Sequence, residues 1–351
     1  MGVPKLAIIV PVYKVPNTLY RCLDSIFSEQ EALTEEVEVL AVNDASPDNC
    51  GELLAAYQRQ QPRLRVITHK INKREAGAHN TGVTNTTAEY FLRLDSDDAF
   101  RHGAIKSILK VINDCHPDII MHGFDCVNGD GEFLSQTIHS NPGLYRVDSQ
   151  NPKDLRILFE DVAFCLTTPN VVYRRAAAPE VRHDPRFLVS GDTYYGWQYF
   201  RQAQTVYVLG ESIVNYYQYD TSLSHCVSDQ AARGLMELDQ CYWREICSDP
   251  RFATGLPYAF RRLLRILTSW HYHVVFDSGV EKKKLAGEYF KMLGLLTNNA
   301  IAHEVMPLGS RIFALASVLK SRILLDFQLK VAMRCISKVR RIFGFDCTRC
   351  M

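Results

Sequence analysis

The sequence predicts an α/β protein, with a mostly parallel sheet covered by helices and a helical C-terminal region. Three observations carry that reading. Short continuous apolar runs, such as Leu6 to Val10 and Val37 to Val42, have the pattern of strands buried on both faces. Between them lie stretches with apolar residues at helical spacing. The two kinds alternate through the first hundred residues, as in parallel strands joined by crossover helices.

Each element has its own signal. Pro11 is read as the stop of the first strand. Asn17 to Ser28 carries Leu19, Cys22, Leu23, Ile26 and Phe27 on one face, with Asn17 or Thr18 as cap. Asp48 to Gln61 is a second helix with Leu53, Leu54 and Tyr57 inward. Leu64 to Thr68 is the third strand, Gly77 to Asn85 begins the next helix, and Tyr90 to Leu94 is the fourth strand. Ile119 to Gly123 is a further strand, followed by the turn-rich Asn128 to Gly131 and a hairpin. Asp154 to Phe164 and Asp192 to Gln202 are read as helices, and Asn170 to Arg174 and Thr205 to Leu209 as strands. From about Asp229 onward the pattern is helical, which divides the chain into residues 1–228 and 229–351.

Composition narrows the classes. The chain has 351 residues, 47% hydrophobic and 23% charged, with a net charge of +1. That is ordinary globular composition, and it gives no argument for nucleic-acid binding. No run approaches the roughly 18 apolar residues of a membrane span. The first five residues lead into a strand without the basic and apolar regions of a secretory signal. The expectation is a cytoplasmic protein. The eleven cysteines lack framework spacing and read as free thiols. Cys347 and Cys350 lack the further ligands that a zinc site needs.

Chemistry concentrates in the loops. Asp95-Ser96-Asp97-Asp98 puts three carboxylates in four positions directly behind the fourth strand. Acids so placed repel one another unless a cation sits among them, and a hard divalent ion such as Mg2+ or Mn2+ takes oxygen ligands. A capped acidic turn is the plainer alternative. The loops after strands one, two and four hold Pro11-Val12-Tyr13, Asn43 to Asp48 and Asp95 to Asp98. In a parallel sheet all three converge at the carboxyl edge, where ligands bind.

These segments, in order and spacing, resemble the family-2 glycosyltransferases of GT-A fold. Ile8-Ile-Val-Pro-Val-Tyr13 is similar to the family's opening strand, Val42 to Asp48 to its second acidic loop, and Asn72 to Gly82 to its asparagine-glycine segment. Asp95-Ser-Asp-Asp98 is similar to its D-x-D motif. A weaker likeness continues from Gly191-Asp192 to Ser224. The resemblance implies a metal-dependent, inverting transfer from a nucleotide sugar, with a UDP-sugar expected, to a glycan or lipid-linked acceptor in surface polysaccharide or lipopolysaccharide synthesis. It implies Asp97 as metal ligand, Asp95 near both ribose and metal, and Ser96 beside the donor. It gives Asp44 a bond to the nucleobase, Pro11, Val12 and Tyr13 the lining of the base pocket, and Arg74 a place near the nucleotide. Asp98 is expected to tune or cap rather than touch the donor. His225 is a candidate additional metal ligand.

The reaction also needs a base for the acceptor hydroxyl. The family's Glu-Asp pair reads Gly191-Asp192 here, so Asp192 is the candidate, and helix N-cap is its plainer role. Glu160-Asp161 spells the pair literally but is read as a helix face. His79 stands where the family usually has arginine, and Asn80 and Gly82 are read as structural. The missing glutamate keeps open a second class, an inert homologue that binds a glycan or partner. A nucleotidyltransferase is disfavoured, because no glycine-rich loop follows the first strand. Finally, Lys330, Arg334, Lys338 and Arg341 recur at helical steps within residues 322–345, beside an apolar face. Such a helix either lies on anionic membrane, which would put the protein at the inner face of the cell membrane, or packs on the domain.

Overall fold

The structure, a computed structural model, describes residues 3–29, 31–187, 190–219, 229–256, 258–259 and 262–263. His225 and residues 322–345 lie outside these. The chain divides into two compact units, Met1–Ser222 and Leu223–Met351.

In the first unit β1 (Leu6–Val12), β2 (Val37–Asn43), β3 (Leu64–Thr68) and β4 (Tyr90–Arg93) alternate with α1 (Leu19–Phe27), α2 (Cys50–Gln60) and α3 (Arg74–Thr84). Then come β5 (Ala99–Phe100), α4 (Ala104–Cys115), β6 (Ile119–Asn128), β7 (Phe133–Thr137) and β8 (Gly143–Arg146). α5 (Pro152–Arg156) continues into a wider π-helical turn, Ile157–Val162. β9 (Val171–Arg174), α6 (Gly191–Phe200) and β10 (Thr205–Gln218) complete the unit. The sheet runs β3-β2-β1-β4-β9-β6-β10-β5, with β7 on β6 and β8 on β10. The half from β3 to β4 is parallel, as expected. β9 enters antiparallel between β4 and β6, so the sheet is mixed.

The core follows from the apolar runs. Leu6, Ile8 and Val10 of β1 pack with Leu19, Leu23 and Ile26 of α1 and with Val39 and Ala41 of β2, all essentially inaccessible to water. Gly82 lets α3 lie directly on β1, since a Cβ there would overlap Ile9 Cγ2.

Several boundaries differ from expectation for local reasons. β1 does not stop at Pro11 but runs to Val12. Its pairing with β4 ends at Ile9, so beyond that point the missing N–H interrupts only an open side. α2 starts at Cys50 rather than Asp48, because the Asp48 carboxylate accepts the Cys50 N–H (3.0 Å). Leu53 is only half-buried there. α3 starts at Arg74 instead of Gly77, where Asn72 Oδ1 accepts the Arg74 N–H (3.0 Å). β10 extends to Gln218, well past the expected Leu209. In the second unit α7 (Asp229–Ser248) buries Leu235, Leu238, Tyr242 and Ile246 at steps of three and four.

Candidate active site

β1, β2 and β4 are parallel, so their following loops reach the same edge. Direct bonds join them. Val12 O accepts the Asp44 N–H (2.9 Å), Ser46 Oγ accepts the Lys14 N–H (2.8 Å), and Thr18 Oγ1 donates to Ser96 O (3.0 Å).

Asp44 is almost wholly buried. Its Oδ1 accepts the Lys73 N–H (2.8 Å) and lies 2.6 Å from His69 Nδ1, and His69 Nε2 meets Thr81 Oγ1 at 2.9 Å. The turn-making role falls to its neighbours. Asn43 Oδ1 takes the Ser46 N–H (3.0 Å), and Asp48 takes the Ser46 hydroxyl (2.7 Å). Asp44 is thus held by α3 and its approach rather than spent on its own turn. Tyr13 is 41% exposed at the rim. Val12 is fully buried in the core, so only its main chain can face a ligand, and Ser96 is also buried. Arg74 stands exposed at the first turn of α3.

The three acids of the run have different surroundings. Asp98 is buried and its Oδ1 accepts the Tyr217 N–H (2.9 Å), which ties the run to β10. Burial holds the Asp98 carboxyl well above the usual carboxylate range, with Asp97 and Asp95 adding to the effect. Arg21 braces the same junction. It donates to Asp97 O (2.5 Å) and to Tyr219 Oη (2.9 Å), and stacks 3.4 Å from the Tyr217 ring centroid. The Arg21 bond goes to the main-chain oxygen; the Asp97 carboxylate stays partly open, and no side chain donates to it among the described residues. Burial raises its pKa.

Asp95 turns inward to Arg93, a cation in the middle of β4. Arg93 Nε lies 3.0 Å from Asp95 Oδ1, and Nη2 donates to Oδ2 (3.3 Å). Nη1 pairs with Glu75 of α3. Burial pushes Asp95 up to about 7; Arg93 opposes that, and Glu75, Asp97 and Asp192 reinforce it. Asp192 faces the same cation. It is not the helix N-cap, a position held by Ser190. It sits in the first turn of α6, where Oδ1 accepts the Thr193 N–H (2.8 Å) and Oδ2 the Thr168 N–H (3.0 Å). Burial and then Glu75 raise its carboxyl, against Arg93 and His183. Asp192 lines a small pocket with His79, Arg93, Tyr173, His183 and Tyr195.

The fold therefore brings Asp95, Glu75 and Asp192 to one cation, Arg93, with Asp97 two positions beyond Asp95 and Asp44 at the end of neighbouring strand β2. Glu160 is apart from this site, buried and paired with Arg156 (3.3 Å). No group of three or more His, Cys, Asp or Glu side chains is arranged to hold a metal among the described residues. Sequence reasoning missed Arg93, Glu75, His69 and His183. Arg93 left a signal: a charge inside a buried strand needs a partner. The others pair only across the fold.

The family model for glycosyl transferase family 2 matches residues 7–182. The chain belongs to that family. It is 26% identical over 225 residues to the uncharacterized glycosyltransferase EpsJ of Bacillus subtilis, covering 63% of each protein. It is 32% identical over 124 residues to glycosyltransferase GlyA of Streptococcus pneumoniae, which is 35% of this chain and 17% of GlyA. A poly(ribitol-phosphate) beta-glucosyltransferase of Bacillus spizizenii is 29% identical over 147 residues, 42% of this chain and 23% of that protein. The chain spans less than two thirds of the length of these curated relatives. Among solved structures it is similar to S. aureus TarS 1-349 in complex with UDP-GlcNAc. That likeness has a TM-score of 0.76 at 17% identity and covers 95% of this chain and 92% of that one. The mannosyltransferase PcManGT of Pyrobaculum calidifontis, in complex with GDP-Man and Mn2+, follows at TM-score 0.52 and 13% identity, over 98% and 89% of the two chains. The expected GT-A fold is borne out.

Proposed function

We propose that the protein transfers a sugar, with inversion, from a nucleotide sugar to a glycan or lipid-linked acceptor in surface polysaccharide synthesis, with residues 1–228 as the catalytic part and the remainder for acceptor or membrane contact. The observation that carries this is an Asp97 carboxylate that stays partly open beyond β4, with an Asp192 carboxylate held in the first turn of α6, near Arg93. One carboxylate is open for a cation and the other is held at a helix start for a proton.

Asp97, with Asp95 behind it, fits a hard cation such as Mn2+ or Mg2+. Both are oxygen donors, and a site with few protein ligands suits an ion that keeps water and phosphate in its other positions. When bound, such a cation neutralises the charge that grows on the departing diphosphate. The chain's residues do the rest. Asp44, fixed by His69 and the Lys73 amide, accepts a base N–H. Tyr13 and the main chain at Pro11, Val12 and Ser96 border the nucleotide, and Arg74 is free to meet its polar edge. Asp192 takes the acceptor proton as the oxygen attacks the anomeric carbon from the side opposite the leaving group, which inverts that centre. Asp98 acts only through the Tyr217 bond. His225 is kept as a candidate further ligand. UDP-GlcNAc, the compound in the TarS complex, is the first donor to try.

An inert, glycan-binding homologue is the second reading, favoured by Gly191 alone. Screening nucleotide sugars for diphosphate release tests the first, with Mn2+ or with chelator, for wild type and Asp97→Asn. Release that needs the cation and is lost in Asp97→Asn is expected. Release indifferent to both removes the proposed role of the acidic run, and no binding of any donor favours the inert homologue.

A further inference from the structure

We propose that His183 is the positioning residue to which Asp192 passes the proton it has taken, and that position 191 is glycine to make room for it. The inference rests on Asp192 as base, and on four features of the pocket behind it.

First, the imidazole of His183 and the carboxylate of Asp192 line the same pocket. Second, His183 is 4% exposed, yet neither ring nitrogen has a hydrogen-bond partner among the described residues. A histidine kept for packing alone normally has at least one nitrogen satisfied. Third, its main chain is clamped from both sides, since its N–H donates to Asn80 Oδ1 (2.8 Å) and its carbonyl accepts from Asn80 Nδ2 (2.9 Å). That gives Asn80 a purpose beyond general structure. Fourth, a Cβ at Gly191 would lie 2.7 Å from His183 Cε1, so the ring occupies the space of any side chain there. The chain has exchanged one ionisable group beside Asp192 for another that arrives from the preceding loop.

The surroundings suit a proton in transit. His183 is faced by Glu75 and His79 from α3, Arg93 from β4, Tyr173 from β9, and Asp192 and Tyr195 from α6, and Asp184 follows it in the chain. Burial and then Arg93 hold the imidazole below its ordinary range, so it is neutral at rest and able to accept. Its Nε2 is 4.0 Å from Glu75 Oε1, and the Glu75 side chain is 48% exposed. The acceptor O–H bond breaks as that oxygen bonds the anomeric carbon. The carbon–diphosphate bond breaks with its electron pair on the leaving oxygen. The proton goes to Asp192 and then, because no His183 nitrogen lies within 4.0 Å of an Asp192 oxygen, through one water in the pocket they share to His183; Asp192 returns to its ionised form, and Glu75 balances the imidazolium and opens to water. His79 is the poorer candidate, because the charges that act on it are those of His183 and Arg93, which oppose its protonation, and burial and then His183 keep it well below the ordinary range.

His183→Gln keeps size and polarity and cannot carry the proton. Its kcat falls at least about tenfold, a part of what acid–base assistance supplies. Donor KM stays unchanged, and the acid limb of the pH profile moves. Wild-type kcat with a wild-type pH profile overturns the inference, and so does a lower kcat with an unmoved profile. NMR titration of the His183 Cε1–H supplies a readout that needs no substrate. Asp192→Asn removes a negative neighbour, so the His183 pKa drops; an unchanged titration overturns the coupling. If Asp192→Asn is inactive while His183→Gln is fully active, this inference alone fails. If Asp192→Asn is itself active, the reading of the base fails with it.

Discussion

Gly191→Ala probes the fit between α6 and the loop before it. The added Cβ lies 2.7 Å from His183 Cε1 and 3.4 Å from Phe187 Cβ. Carbon pairs rest at about 3.5–4.0 Å, so the first contact is short by about 1 Å and the second is tight but tolerable. His183 has little room to retreat, because Asn80 holds its N–H and carbonyl at 2.8 and 2.9 Å. Overpacking of this kind costs about 1–3 kcal/mol. Alanine over glycine in a helix returns up to about 1 kcal/mol. The net expectation is a loss of about 1–2 kcal/mol, measured by urea denaturation. His183→Ala removes the obstructing ring, so Gly191→Ala made in that background is neutral or slightly stabilising. The coupling in the double-mutant cycle is then about 1–3 kcal/mol. An equal cost in both backgrounds, or a Gly191→Ala single variant as stable as wild type, refutes the argument.

Other outcomes follow from the same geometry. Asp98→Asn keeps an acceptor for the Tyr217 N–H and is at least as stable as wild type at neutral pH, whereas Asp98→Ala leaves that half-buried amide unpaired and costs about 1–3 kcal/mol relative to Asp98→Asn in the same denaturation. Asp44→Ala weakens binding of UDP with Mn2+ about ten- to a hundredfold by calorimetry, the worth of one charge-assisted hydrogen bond; unaltered affinity contradicts the nucleobase role. Because burial raises the Asp192 carboxyl and the base must be ionised, kcat/KM declines as pH falls, at values above the usual carboxylate range. A carboxyl raised on folding contributes stability at low pH that is lost as pH rises. Asp192→Asn therefore gains stability relative to wild type as pH rises beyond the usual carboxylate range, and denaturation below and above that range checks the sign.

The parallel half of the sheet was legible because buried strands and amphipathic helices leave different periods in the chain. Leu6 to Val10 and the spacing from Leu19 to Phe27 are local facts. Within the acidic run, Asp98 accepts the Tyr217 N–H, a partner 119 positions away, and Asp97 stays partly open. What could not be read were choices made by distant partners. Nothing near Val171 says that β9 will enter antiparallel between β4 and β6. The resemblance singled out Asp44, but its anchoring by His69 and the Lys73 amide, which sets it apart from the turn-making Asn43 and Asp48, comes from residues 25 and 29 positions away. Gly191 read as the loss of an acid, because the ring that fills its space comes from His183, across a loop anchored by a residue 103 positions earlier. The electrostatics of the site hang on Arg93, a residue that strand patterning alone treats as an exception.

The role of Asp192 is tested most directly by the rate of sugar transfer by Asp192→Asn beside wild type, at saturating donor and Mn2+. The substitution preserves shape and keeps an acceptor for one of the two amides at 2.8 and 3.0 Å, while removing the base. The predicted result is a fall of about 10²- to 10⁴-fold in kcat with little change in donor KM. Equal rates in the two proteins would contradict it.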